Sequence, residues 1–292
     1  MKLAYYPGCS LHAGAKEYDM SWRAVCELLG IELAEMENWS CCGTVHATNV
    51  DRTVSYALAA RNVVIAEEMG LEIAATCSGC YKNLRAADEA LKADAEIRTA
   101  VNTSLPRPFE GTSRVRHPLY VILEDIGLDN LPEIVRPLHG LKVAPYYGCV
   151  LTRPVYPEQA DDPENPQGLD RLLEALGADV VPYYPWKTKC CGGAVLLSHT
   201  EVSIELCAKL LKHAKAAGAQ CLAVACPMCQ MALDGYQPRI ARYLGEQLDI
   251  PIIYFTQLMG LALGVDLEKL GFEQLFVSPE KALEVILSRS MQ

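Results

Sequence analysis

Lys2-Leu3-Ala4-Tyr5-Tyr6-Pro7-Gly8-Cys9 opens the chain, and Lys142-Val143-Ala144-Pro145-Tyr146-Tyr147-Gly148-Cys149 repeats the pattern near its middle. Each stretch is a short β-prone run that stops at a glycine and a cysteine. The later cysteines repeat as well. Cys9 is succeeded by Cys41-Cys42-Gly43 and then by Cys77-Ser78-Gly79-Cys80. Cys149 is succeeded by Cys190-Cys191-Gly192 and then by Cys226-Pro227-Met228-Cys229. The interval from Cys42 to Cys77 equals that from Cys191 to Cys226, residue for residue, while the interval from Cys149 to Cys190 is longer than that from Cys9 to Cys41. The extra length falls on Tyr156 to Gln167, whose prolines and acids mark an exposed insertion in the second copy. Glu27-Leu28-Leu29-Gly30 and Glu174-Ala175-Leu176-Gly177 are a further local match. A duplication at this scale governs how every later motif is interpreted.

The boundary is expected between Gly127 and Gly140, which divides the chain into units 1–135 and 136–292. Strands are expected at Lys2 to Tyr6, Ile31 to Met36 and Glu72 to Thr76, and again at Lys142 to Tyr147, Asp179 to Tyr183 and Cys221 to Ala225. Helical spacing covers Asp51 to Met69 and Glu201 to Ala217, with Gly70 and Gly218 placed as C-terminal stops. Alternating strands and helices give an α/β fold of two pseudo-symmetric repeats, each a mainly parallel sheet flanked by helices. In each repeat all three cysteine segments then lie just past the carboxyl end of a strand, where open α/β sheets place their ligand sites.

Composition bounds the chemistry. Acids outnumber bases by 36 to 26 across 292 residues, which argues against a nonspecific nucleic-acid surface. Apolar residues make up 51% of the chain, enough for substantial cores. The start lacks the apolar core and cleavage site of a secretory signal, and Ile250 to Val265 is too short to span a bilayer and reads as a strand followed by a core helix. Thirteen cysteines in a chain expected to be cytoplasmic point to metal or redox chemistry and away from disulfides. No glycine-rich dinucleotide fingerprint or P-loop is present, so electrons are expected from another protein.

Five cysteines per repeat exceed the four that close a tetrahedral zinc site. Adjacent cysteines such as Cys41-Cys42 have diverging side chains, which suits two irons of one polynuclear group, and Gly43 and Gly192 allow a close backbone approach to it. Cys26, Cys207 and Cys221 fall outside the repeated spacing and read as ordinary buried thiols. His46 and His199 follow the Cys-Cys-Gly segments and could protonate a departing thiolate, although a locally bonded histidine is the plainer reading. Arg153, Lys187 and Lys189 could attract an anionic thiol or be solvated cations. Tyr5, Tyr6, Tyr146 and Tyr147 read as packing beside the cysteines.

With both quintets complete, the sequence resembles the cysteine-rich CCG-domain family, and within it the B subunit of heterodisulfide reductase. The resemblance implies two noncubane [4Fe-4S] clusters, one held by Cys9, Cys41, Cys42, Cys77 and Cys80 and the other by Cys149, Cys190, Cys191, Cys226 and Cys229. It implies an oxidoreductase subunit in which a disulfide of the CoM-S-S-CoB type or a related one is reduced to two thiols between the clusters. No catalytic side chain is assigned beyond them. The partners it implies are an iron-sulfur electron-donor subunit, resembling the C subunit of heterodisulfide reductase, and a flavin subunit, resembling its A subunit. The alternatives are a CCG-type electron-transfer or quinone-linked subunit of a succinate or fumarate reductase, and a structural zinc protein.

Overall fold

The first strand, β1 (Lys2–Tyr6), is buried along nearly its whole length, with Tyr5 and Tyr6 fully inaccessible. Such a run, apolar on both faces, belongs in the middle of a parallel sheet. The structure, a computed structural model, describes residues 1–153 and 161–290. In it β1 lies between β2 (Glu32–Glu35) and β3 (Ile73–Ala75), and β4 (Val115–Arg116) adds a fourth strand beyond β3. The second sheet has the same order: β6 (Asp179–Val180), β5 (Lys142–Tyr146), β7 (Cys221–Val224) and β8 (Ile252–Tyr254). All pairs in both sheets are parallel, with registers such as Ala4↔Ile73 and Ala144↔Leu222.

The strands and helices stand close to their expected places, with instructive differences. β6 stops at Val180, short of the expected Tyr183. Val181 N donates to Val143 O at 2.9 Å, so alternate residues of β5 present their backbone to β6, and the next in that series is Pro145. A proline there has no N–H to offer, and the ladder ends. β4, only two residues long, was not anticipated. Helix Arg52–Met69 starts where Asp51 Oδ1 accepts from Val54 N at 2.9 Å and ends at Gly70. Its counterpart, Thr200–Ala216, is followed by Gly218. In the proline-rich insertion, residues 156–160 lie outside the described residues, and Asp161 caps the next helix by accepting from Gln167 N and Gly168 N.

The end of the chain returns to the beginning. β8 leads into helix Phe255–Leu263, which packs on helix Lys16–Leu28. At that contact Tyr18 stacks on Tyr254, with centroids 4.1 Å apart and planes inclined by 16°, and Ser21 and Thr256 share a buried 2.7 Å hydrogen bond. Among the described residues no helix is long and apolar enough to cross a membrane.

Candidate metal centres

In each half the three cysteine segments do converge at the carboxyl edge of the sheet. Cys9 sits in the turn of helix that follows β1, Cys41-Cys42 in the loop after β2, and Cys77 caps the helix Ser78–Ala93 that follows β3, with Cys80 in its first turn. Cys149 follows β5, Cys190-Cys191 lie in the loop after β6, and Cys226 caps the helix Pro227–Gln230, which contains Cys229. Cys9, Cys41 and Cys190 are exposed, Cys149 is half-buried, and the other six are buried.

The sulfurs meet in a matching series of pairs. Cys42 and Cys80 are 3.5 Å apart, and Cys191 and Cys229 are 3.4 Å apart. Cys9 lies beside Cys41 and Cys149 beside Cys190, while Cys77 neighbours Cys80 and Cys226 neighbours Cys229, each pair close enough to perturb the other's acidity. The two sets also adjoin, because Cys77 and Cys226 lie close enough across the junction of the halves to perturb each other's acidity. Such proximity splits their acidities. The bond with Cys80 draws Cys42 down to about 6 against the cost of burial, and the bond with Cys149 does the same for Cys190. Cys77, Cys80, Cys149 and Cys229 are pushed up, and Cys226 is lowered by its bonds to Cys229 and Cys77.

The walls of these sites are built from the repeated sequence. Tyr6 OH donates to Ser40 O at 2.7 Å and Tyr146 OH donates to Lys189 O at 2.7 Å, each pinning the residue before a Cys-Cys-Gly. Burial, then the neighbouring cysteines, raises both hydroxyls far out of titration range, so they remain donors. Gly8 and Gly148 have φ of +66° and +70°, and a Cβ at either would lie 3.1 Å from the Sγ of Cys80 or Cys229. Only glycine fits both constraints. Gly43 and Gly192 are likewise left-handed, at φ +85° and +74°. Soft all-sulfur donor sets of this kind select iron-sulfur groups or zinc. Among the described residues no three His, Cys, Asp or Glu side chains gather as the ligands of one metal ion. Five thiols that meet in pairs, one more than the four that close a tetrahedral ion, fit a polynuclear group better than a single ion.

The remaining sequence candidates lie elsewhere or act differently. His46 is exposed and bonded to Thr44 Oγ1 at 2.8 Å, and His199 is exposed beside Glu201, so each is locally engaged. Lys187 is neither a solvated cation nor an anion trap: it is buried, 3.0 Å from Asp170 Oδ1, and donates to Pro166 O. Arg153 pairs with Glu164, and Lys189 is exposed. Cys26 and Cys221 are buried as expected, Cys221 being pushed up to about 12 by burial alone. Cys207 is buried too, but it has a task, because its Sγ donates to Cys191 O at 3.2 Å.

Sequence reasoning missed His117. It follows β4 at the same sheet edge, and its Nδ1 accepts from Leu119 N at 3.2 Å, so the proton sits on Nε2, which donates to Ala225 O at 3.1 Å. Ser78 Oγ and Tyr18 OH, at 2.9 and 3.4 Å, converge on the same carbonyl. Burial pushes this imidazole down to about 4, leaving it neutral. Three first-half donors thus hold the residue that precedes Cys226. The signal was present in the sequence as His117-Pro118, a helix start just past a strand, but the strand was too short to notice.

Comparison with known proteins gives three results. The CCG cysteine-rich domain family matches residues 3–85 and 143–234. The chain is 32% identical over 283 residues to the 8-methylmenaquinol:fumarate reductase membrane anchor subunit of Wolinella succinogenes, covering 96% of this chain and 98% of that one. It is 33% identical over 279 residues to the B subunit of the ferredoxin:CoB-CoM heterodisulfide reductase of Methanosarcina mazei, covering 94% and 93%. Among solved structures, a hypothetical protein from Helicobacter pylori superposes with a TM-score of 0.76 at 14% identity, over 95% of this chain and 52% of that chain. The chain therefore spans about half of that solved chain and shares its fold.

Proposed function

The chain belongs to the CCG cysteine-rich domain family, and from that premise we propose that it is the catalytic iron-sulfur subunit of a heterodisulfide reductase-like complex, reducing a disulfide to two thiols. One noncubane [4Fe-4S] cluster would be held by Cys9, Cys41, Cys42, Cys77 and Cys80, and the second by Cys149, Cys190, Cys191, Cys226 and Cys229. The observation that supports this reading is that both quintets are complete and lie side by side at the junction of the halves, with Cys77 next to Cys226, an arrangement suited to one substrate served by both. When bound, the clusters would supply single electrons, two of which, with two protons, convert one disulfide into two thiols.

The chain's own residues fix the geometry. Tyr6 and Tyr146 hold the two Cys-Cys-Gly loops, Gly8 and Gly148 let the backbone pass beside the sulfurs, and Ser78 and His117 tie the second set to the first half. Such positioning is what preorganised sites require. Electrons would arrive from an iron-sulfur donor akin to the C subunit of heterodisulfide reductase, served by a flavin protein akin to its A subunit. The identity to the Wolinella succinogenes anchor subunit supports a second reading, an electron-transfer subunit of a fumarate reductase linked to a quinol.

Replacing Cys42 or Cys191 with Ala is expected to remove about half of the iron from anaerobically purified protein and to abolish disulfide cleavage driven by reduced viologen. Iron content and activity unchanged in both variants would overturn the assignment. Quinol oxidation without disulfide cleavage in the intact complex would transfer it to the second reading.

A further inference from the structure

The last part of the chain forms a groove of about 660 Å³, lined only by residues between Leu267 and Leu287 and so by none of the ten repeated cysteines. One side is the short helix Leu267–Leu270 with the turn Phe272–Gln274, and the other is the last helix, Glu280–Ser290. Leu275, Pro279 and Leu283 are its buried floor, while Leu267, Phe272 and Leu287 stand in its walls, partly open to solvent. On the last helix Glu280, Leu283 and Leu287 recur at three- and four-residue intervals and share one face. Ala282 and Ile286, on another face of that helix, are buried and do not line the groove.

The rim is acidic. Glu268, Glu273 and Glu280 line it, all exposed, no Lys or Arg does, and among the described residues none of the three carboxylates is paired with a cation. The surplus extends inward to Glu17, which Gly271 abuts and whose carboxyl is raised by burial first and then by Asp234 and Glu273. Unpaired carboxylates around an apolar floor favour a cationic, amphipathic guest and repel an anionic lipid surface. A symmetric pairing of two copies would set the same carboxylates face to face. No strand lines the groove, so an extended segment finds no backbone edge to pair with, whereas a channel between two helices suits a third. The 11 residues of the last helix give a wall about 16 Å long, room for about three turns of a guest helix. We propose that this groove docks a basic amphipathic helix of a partner protein, its apolar stripe seated on Leu283 and its flanking lysines or arginines facing Glu268, Glu273 and Glu280. Such a contact tethers a partner without touching either cysteine set, so it stands or falls apart from the chemistry proposed above.

Two helical peptides of about 18 residues test this, both with leucines spaced along one face as such anchors are, one with lysine on the flanks and the other with glutamate. Each carries a fluorophore and is titrated with the anaerobic, iron-loaded protein, binding being read as anisotropy. The lysine peptide should bind at least about tenfold more tightly than the glutamate peptide. Raising salt from about 0.1 to about 1 M, which shortens the Debye length from about 10 to about 3 Å, should remove most of that difference. Glu268→Lys, Glu273→Lys and Glu280→Lys together should reverse the preference. Glu37→Lys, Glu133→Lys and Glu174→Lys, at exposed positions elsewhere, change the net charge equally and should leave it in place. Leu267→Ser with Leu287→Ser should weaken the lysine peptide at least about tenfold.

Iron content and the denaturation midpoint check the fold of every variant, and the reversed preference is a gain that misfolding cannot mimic. Equal binding of the two peptides to the unaltered protein, or a lysine preference that survives reversal at Glu268, Glu273 and Glu280, overturns the inference. Sedimentation with phosphatidylcholine or phosphatidylglycerol vesicles that is lost in the double serine variant, while neither peptide binds, gives the groove to a lipid surface instead. Self-association lost in that variant, again with neither peptide bound, gives it to a second copy. Disulfide cleavage driven by reduced viologen should be the same with and without the charge reversal. Cleavage without a lysine preference removes the docking site alone, and a lysine preference without cleavage removes the reductase reading alone.

Discussion

The two halves share the contacts that lead into each Cys-Cys-Gly and that close on Cys80 and Cys229, but they support the second cysteine of each adjacent pair differently. Tyr6 and Tyr146 make the same 2.7 Å bond to the residue before Cys-Cys-Gly, and Gly8 and Gly148 approach Cys80 and Cys229 at the same 3.1 Å. Support of the second cysteine in each pair has diverged. In the first half Asn83 Nδ2 reaches Cys42 O at 3.1 Å, Thr44 O at 2.7 Å and the Cys42 sulfur at 3.6 Å. In the second half that duty falls to the helix Thr200–Ala216, where Ser203 Oγ and Cys207 Sγ donate to Cys191 O at 3.1 and 3.2 Å. What duplication preserved is the contact geometry five thiols demand, and what drifted is a hydrogen bond that several side chains can make.

The severest test of this comparison is Gly8→Ala against Gly148→Ala. Each forces a left-handed backbone costing about 1–2 kcal/mol and drives a methyl against a sulfur. Each variant is expected to lose the metal of its own half, read as iron per chain, and loss from one half alone would show that the halves are not equivalent. Asn83→Ala follows, since it strips one buried and one part-buried carbonyl of their donor, at about 2–3 kcal/mol in denaturant unfolding, while Cys207→Ala leaves Ser203 in place and should cost about 1 kcal/mol. Equal losses would erase the proposed divergence. Tyr6→Phe and Tyr146→Phe should each cost about 1–2 kcal/mol and match one another.

The smallest effect concerns a buried acid away from the thiols. Glu17 is pushed up to about 7, by burial first and then by Asp234 and Glu273, so the folded state keeps a proton that the unfolded chain releases above about 4.5. The stability this lends is complete at low pH and is lost as pH rises through 7. Asp234, raised to about 6, finishes earlier. Between pH 6 and 7 the loss from Glu17 is on the order of 1 kcal/mol, and Glu17→Gln should flatten the denaturation midpoint over that interval.

Much of this was legible because the cysteine spacing and the strand runs repeat. Lys2–Tyr6 and Lys142–Tyr146 announce themselves by their burial-prone composition, and Asp51 and Gly70 bracket their helix with recognisable end residues. The convergence of three segments followed from strand direction alone. What stayed hidden depends on partners distant in sequence. Val115–Arg116 is too short to carry a period, so His117 could not be placed at a sheet edge. The shortening of β6 is decided by Pro145 on the neighbouring strand. Lys187 looked available until the fold set Asp170 beside it.

The Ala225 carbonyl, gripped by Ser78, His117 and Tyr18, works as a rivet. Hydrogen-bond lengths vary by only tenths of an ångström. The gap between the two thiol sets is thereby set by short, stiff links and not by a hinge, so the electron tunnelling that the proposed function requires between them should stay insensitive to whatever motions the rim undergoes.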